Sequence, residues 1–250
     1  MTVILLIVLA FFAELIDSGL GMMYGTILSP LLIILGFNPY YVVPAILLSQ
    51  GLGGLMASFR HNHFKNGDFK LGSDDTKVAL VISILGIVGV ILGVWVGKSI
   101  PKEFLRLYIS ILCIIMGLIV ISKKRFKFNW KGILAIGFVS SFNKAFSGGG
   151  FGPIVTSSQV ILNRKEHNAI SSTDLAEVPI CISAFVLWVI AKGFPSNELL
   201  WSLIGGSLMG AFIGPKLLYL IRNKNREVLT RVIGILVTLL GIISLFKIQI

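Results

Sequence analysis

Five ionisable residues, Glu14, Asp17, Lys144, Asp174 and Glu177, stand inside stretches that are otherwise apolar enough to enter a bilayer. An uncompensated charge in hydrocarbon is costly, so each of the five is a functional candidate. Glu14 and Asp17 are three residues apart, as are Asp174 and Glu177, so each pair shares a helix face. Carboxylates so placed can carry protons, and Asp17, Asp174 and Glu177 are the candidates for coupling. Lys144 offers a positive charge to a bound anion. The alternative for Lys144 is a permanent salt bridge to Asp17 or Glu177, and the residues alone leave both open.

Just beyond Lys144 the chain reads SGGGFGP over residues 147–153. Four glycines and a proline are poor helix material, each Gly costing about 1 kcal/mol and Pro about 3 relative to Ala. The first half carries a matching break, SGLGMMYG, over residues 18–25. A break at membrane depth is tolerated only where it lines a cavity. The helix leaving such a break points free N–H groups and the positive end of its dipole into that cavity, which suits an anion. The expected substrate contacts are Gly19, Gly21, Met22, Tyr24 and Gly25 from the first break. From the second they are Ser147, Gly148, Gly149, Gly150, Phe151 and Gly152. Ser49 and Gln50 can add hydrogen bonds. Thr156, Ser157, Ser158 and Gln159 either do the same or join helices.

The elements that must position these residues are membrane helices. Of the 250 residues 55% are hydrophobic and only 13% charged, against about 25% charged in soluble domains. Six runs are long enough to span: 40–59, 77–97, 104–122, 169–191, 199–220 and 229–246. Pro44 and Pro179 are expected to kink the first and fourth. Four pieces, 2–16, 26–36, 132–146 and 153–162, are too short at 1.5 Å per residue for a core about 30 Å thick. The order repeats as short piece, glycine break, short piece, three spans. This predicts an all-α membrane protein of two repeats, 1–126 and 127–250, each opening on a broken hairpin (2–36 and 132–162). If the hairpins are re-entrant, the repeats are inverted and one side receives 15 Lys and Arg against 5 on the other. If each hairpin is a single broken span, the count is 11 against 9. The positive-inside rule selects the inverted arrangement, with both termini outside. Interrupted segments at equivalent places in two repeats mark the binding site of a secondary transporter.

The stretches LIDSGLGMMYGTILSPLLIILGFNPYYVVPAILLSQGLGG and SFNKAFSGGGFGPIVTSSQVIL, with the duplicated halves, resemble the sulfite exporter TauE/SafE family over essentially the whole chain. The resemblance implies a bacterial or archaeal membrane transporter of sulfur-containing anions such as sulfite, sulfonates or sulfoacetate. It leaves the particular anion open. The chain departs from the family at Met22-Met23-Tyr24, where more glycine is usual, so a narrower and more apolar first tip is expected.

Other classes are set aside. The net charge of +11 sits between apolar runs, where it orients helices, so no nucleic acid is expected. The N-terminal stretch lacks a basic n-region and is read as retained. Cys113 and Cys181 lie in apolar segments and imply neither disulfide nor metal. His61 and His63, read as a cytoplasmic rim, are too few for a metal site. No ATP motif or nucleophile–base pair appears, so neither a primary pump nor an enzyme is expected, and no cofactor. A multi-pass protein of a prokaryotic inner membrane is expected, its partners a small anion and membrane lipids. Protons and a second copy of the chain are admitted as further partners. A cation or proton/metal transporter using the buried carboxylates is the alternative.

Overall fold

The computed structural model describes residues 2–122, 130–161, 164–221 and 227–248. Ten helices follow one another: α1 (Thr2–Leu20), α2 (Tyr24–Ile34), α3 (Pro39–His63), α4 (Asp74–Ser99), α5 (Lys102–Ser122), α6 (Trp130–Ser147), α7 (Gly152–Ile161), α8 (Glu166–Lys192), α9 (Asn197–Ile221) and α10 (Glu227–Ile248). Among the described residues there is no strand. The proposed boundary at residues 126 and 127 lies outside the described residues, as do Lys123, Lys124, Arg125, Arg222, Lys224, Arg226 and Ile250.

Among the described residues seven helices are long and apolar enough to cross a membrane, the six expected spans and Val3–Leu20. The first piece is therefore longer than expected. Helix α1 continues through Glu14 and Asp17 to Leu20, because both carboxylates find partners inside the protein and need not end it. The short returning pieces are as expected, with 11 residues in α2 and 10 in α7. Pro44 and Pro179 both lie inside their helices.

Contacts at the helix ends give the running directions. Tyr40 Oη donates to the Ile100 carbonyl at 2.6 Å, Lys192 Nζ lies 4.3 Å from the Tyr40 ring centroid, and Lys247 Nζ donates to the Ile34 carbonyl at 2.5 Å. These residues form one end of the molecule. At the other, Arg60 stacks 4.1 Å over Phe212 and Asn66 donates to the Pro215 carbonyl at 2.8 Å. That end also carries Lys65, Lys70, Arg164 and Lys165 and is called the basic end here.

Helix α1 lies beside α9 and runs the same way: Gly206 abuts Ile7, Gly210 abuts Phe11 and Gly214 abuts Leu15. Helix α6 lies beside α4 in the same manner, Gly89 against Phe138, Gly93 against Phe142 and Gly97 against Phe146. Small residues let these backbones touch, which is how helices associate in lipid. A Cβ on Gly210 would sit 2.5 Å from the Phe11 carbonyl oxygen, and one on Gly93 would sit 2.6 Å from that of Phe142. Consequently α1 enters from the end opposite the basic one, and α2 returns there with Ile34. Helix α6 enters from the basic end, and α7 returns towards it, where Gln159 meets Ala169 at the start of α8. Two hairpins entering from opposite ends are what an inverted repeat requires.

The outward faces are apolar, with Ile84, Val88, Trp95, Phe212 and Ile243 all exposed. The interior holds apolar clusters and, between them, the buried charged groups Glu14, Asp17, Lys144, Asp174 and Glu177.

Candidate functional site

The two hairpin tips meet in the centre of the protein. Helix α1 stops because Gly21 takes φ +77° and Met23 takes φ +102°. A left-handed methionine is strained by about 1–3 kcal/mol. The Met23 side chain is buried in an apolar cluster with Leu20, Cys113 and Val237. In the second tip Gly148 and Gly150 make the left-handed turns, at φ +79° and +82°.

Backbone touches backbone between the tips. A Cβ on Gly25 would fall 1.6 Å from the Gly148 carbonyl oxygen, so no larger residue fits. Gly149 lies against Thr26, and Gly152 against Gly21 and Met22. Gly150 N–H donates to Thr26 Oγ1 at 3.1 Å, Ser29 Oγ to the Ser147 carbonyl at 2.8 Å, and Thr156 Oγ1 to the Gly21 carbonyl at 3.0 Å. Phe151 is buried among Val43, Leu47 and Ile180. Gly19 turns away from the tips and meets Gly214 and Leu217 of α9.

Beside the tips lies a buried charge cluster. Lys144 Nζ stands 2.7 Å from Glu177 Oε1, with the two side chains 1% and 4% exposed. It also donates to Gln50 Oε1. Gln50 Nε2 in turn donates to Asp17 Oδ2 at 2.9 Å and to Glu177 Oε2 at 3.1 Å. The second carboxylate oxygen of Asp17 accepts from the Tyr24 N–H at 3.0 Å. The protein's own carboxylate thus occupies the N-terminus of α2, where an anion is favoured by the free N–H groups and the dipole. Tyr24 Oη and Ser49 Oγ share a hydrogen bond of 2.8 Å.

These four residues form two equivalent pairs. Asp17 is three residues before the end of α1, and Lys144 is three before the end of α6. Gln50 and Glu177 are each the twelfth residue of their helices, α3 and α8. Both pairs are 127 positions apart. Aligning the glycine breaks by their serines, Ser18 with Ser147, hides this by two positions. Counting back from the helix ends brings it out.

Around the centre lie two further buried groups. Glu14 Oε2 accepts from Ser207 Oγ at 3.0 Å, and the same hydroxyl reaches the Ser49 carbonyl at 2.9 Å. Asp174 Oδ2 lies 3.0 Å from His61 Nε2. His61 is 0% exposed, which corrects its reading as a rim residue. Helix α3 runs on to His63, and residues after it fold back over the helix end. His61, Asn66 and Ser207, with Thr26, Ser29 and Thr173, are among the members of the polar interior that pattern reading missed. The signal available for His61 was its position eleven residues, three helical turns, after Gln50.

Thr156 Oγ1 and Gln159 Nε2 both bond Thr173 Oγ1, at 3.1 and 2.9 Å, and so join α7 to α8. Cys113 and Cys181 are free and buried. Among the described residues no three His, Cys, Asp or Glu side chains are arranged to hold a metal ion. A cavity of about 520 Å³ opens at the basic end by Asp68, Ser73, Asp75 and Arg164, remote from the tips. Asp75 there is already bonded by Arg164, by Asn168 Nδ2 at 2.8 Å and by the Asp68 N–H at 2.8 Å, so it ties loops together.

The sequence profile described as Sulfite exporter TauE/SafE matches residues 6–244. The chain is 26% identical over 248 residues to the probable membrane transporter protein YtnM of Bacillus subtilis (strain 168), covering 92% of this chain and 79% of that one. No solved structure gives a significant match. Two glycine-broken hairpins, seven span-length helices and a profile match from Leu6 to Ser244 lead to one conclusion: the chain belongs to the TauE/SafE family of membrane transporters.

Proposed function

We propose that the protein is a secondary transporter of a small sulfur-containing or organic oxyanion of the sulfite, sulfonate or sulfoacetate class. The anion binds mid-membrane beside the two hairpin tips, with Lys144 as its counter-charge. The observation that carries this reading is the burial of Lys144 at the second tip, 2.7 Å from Glu177. Among the Lys and Arg side chains whose burial is described, no other is buried. The proposed setting is the inner membrane of a prokaryotic cell, with the basic end in the cytoplasm.

Lys144 already has a counter-ion, which gives the mechanism its form. An oxyanion that approached the Lys144–Glu177 pair would meet Glu177 as a like charge. Two such charges about 4 Å apart repel by about 4 kcal/mol at an effective dielectric near 20. A proton on Glu177 removes that repulsion and releases Lys144. The anion then replaces the carboxylate on Lys144, while Gln50 can turn its amide to either partner. One anion gained on Lys144 is accompanied by one proton gained on Glu177, so transport is coupled to protons by exchange of counter-ions at one lysine.

The test is thermal stabilisation of the purified protein by thiosulfate, sulfite, sulfoacetate, taurine and carboxylate analogues, with divalent cations in parallel. A ligand that binds only the folded protein raises its stability. Lys144→Met loses a charged partner, worth about 2 kcal/mol or more, so thiosulfate affinity falls about 30-fold or more. Stabilisation by divalent cations alone, or unchanged anion affinity in a folded Lys144→Met protein, overturns the reading.

A further inference from the structure

We propose that His61, with Asp174, is the relay that carries protons between the basic end and Glu177, and that Asn66 is its cap. This rests on the proton-coupled reading of the site and assigns the path that reading lacks.

The geometry fixes the state of the ring. Asn66 Nδ2 lies 2.8 Å from the Pro215 carbonyl, which can only accept, so this atom is the amide nitrogen and not the oxygen. The same nitrogen lies 3.1 Å from His61 Nδ1. Its second proton therefore points at Nδ1, which accepts, and the ring proton sits on Nε2. Nε2–H donates to Asp174 Oδ2 at 3.0 Å. The ring is neutral and poised to give its proton towards α8. Asp174 and Glu177 are three residues apart on that helix and share a face.

Asn66 closes the other side. It is 0% exposed although it lies in the loop after α3. Its carbonyl accepts from Ser171 Oγ at 3.2 Å and lies 3.0 Å from His167 Nδ1. Helices α8 and α9 therefore both hold the cap in place. The charged and titratable side chains on the elements about the ring include Asp174, Glu177 and His167 of α8, Glu14 and Asp17 of α1, Lys216 and Tyr219 of α9, and Arg60 and His63 of α3 itself, with Glu166, Cys181, Lys192, Glu198, Tyr40 and Tyr41 elsewhere on these helices. Asp174 is the one that bonds the ring.

When the basic end opens and Asn66 leaves, Nδ1 becomes the entry point. One proton adds at Nδ1 and one leaves Nε2 for Asp174, so the ring ends neutral. Asp174 passes its proton one turn along α8 to Glu177, and rotation of the ring resets the relay. With Asn66 in place, Nδ1 is blocked and protons do not pass without the opening that also admits the anion.

The experiment uses the full chain in vesicles and thiosulfate, whose charge does not change between pH 5 and 8. Two fluxes are read: thiosulfate counterflow without a pH gradient, and net uptake driven by one. His61→Gln keeps an N–H towards Asp174 but has no titratable nitrogen. It is expected to retain counterflow within about 2-fold and to lose net uptake at least 10-fold. A simple structural tie would impair both fluxes together. Asn66→Ala is expected to raise proton leak without thiosulfate several-fold, and adding His61→Gln should abolish that leak. Folded His61→Gln with wild-type net uptake overturns the relay, as does Asn66→Ala without added leak, which decides the matter if His61→Gln does not fold. Wild-type net uptake that ignores the pH gradient sinks the coupled reading itself, and the relay with it.

Discussion

The Lys144–Glu177 pair makes a prediction whose size follows from its burial. With 1% and 4% of the side chains exposed, neither partner can turn to water when the other is removed. Breaking such a pair from one side costs about 3–5 kcal/mol, because an uncompensated charge stays inside. Replacing both partners by neutral groups of similar volume is close to neutral or stabilising. Lys144→Met alone should therefore lower the melting temperature by about 6–20 °C, taking about 2–4 °C per kcal/mol for a chain of this length. Glu177→Gln alone should lower it by a similar amount. The double variant should recover most of the loss.

The measurement is thermal unfolding of the purified protein in one detergent, for wild type and the three variants, at pH 5 and pH 8. In Lys144→Met the orphaned group is a carboxylate, which a proton neutralises. Its deficit relative to wild type should shrink at pH 5. In Glu177→Gln the orphaned group is an ammonium, and lowering the pH brings no such relief. Single variants as stable as wild type, or a double variant no better than the worse single, would refute the argument that the pair is dehydrated.

Two further outcomes are expected. Gly25→Ala should abolish or severely reduce folded protein, since its Cβ would lie 1.6 Å from a carbonyl oxygen, while Gly19→Ala, whose nearest neighbours are at 3.6 Å, should express normally. For topology, a cysteine at Leu71, 97% exposed in the loop after α3, should label only from the cytoplasm, and one at Phe194, 68% exposed, only from outside. The opposite labelling pattern would reverse the orientation drawn from the basic residues. Asn66 itself is unsuitable for labelling because it is buried.

Much of this architecture was legible in the sequence because lipid leaves a chain few options. Backbone groups must be bonded within each segment, so length and glycine breaks translate directly into spans and hairpins. Helix α1 runs past the expected end at residue 16 to Leu20, with Glu14 and Asp17 tolerated through Ser207 and Gln50. The pairing of Lys144 with Glu177 was one of two options the residues left open, since spacing along a helix says nothing of distance between helices. For His61 the helical register with Gln50 was the one signal, and its full burial was out of reach for a related reason. Its burial depends on Asn66 folding back from a polar loop, and neither hydropathy nor periodicity reports that contact.

The equivalence of the central residues bears on why the site is charged as it is. Two inverted hairpins with identical sequences would bring two like groups to the pseudo-symmetry axis. Two lysines there would repel and bind an anion without a means of release. Two carboxylates would exclude it. This chain instead carries Asp17 on one hairpin and Lys144 on the other, with the equivalent positions on α3 and α8 held by Gln50 and Glu177. Asp17 satisfies the N-terminus of α2 through Tyr24, Lys144 pairs with Glu177, and Gln50 bridges Asp17 to both members of that pair. The two hairpins bring the four side chains together, and under the proposed mechanism the asymmetry of their charge makes Lys144 the place where an anion and a carboxylate compete. On that proposal a proton on Glu177 decides the competition, a small charge movement by which such a centre can load and release an anion.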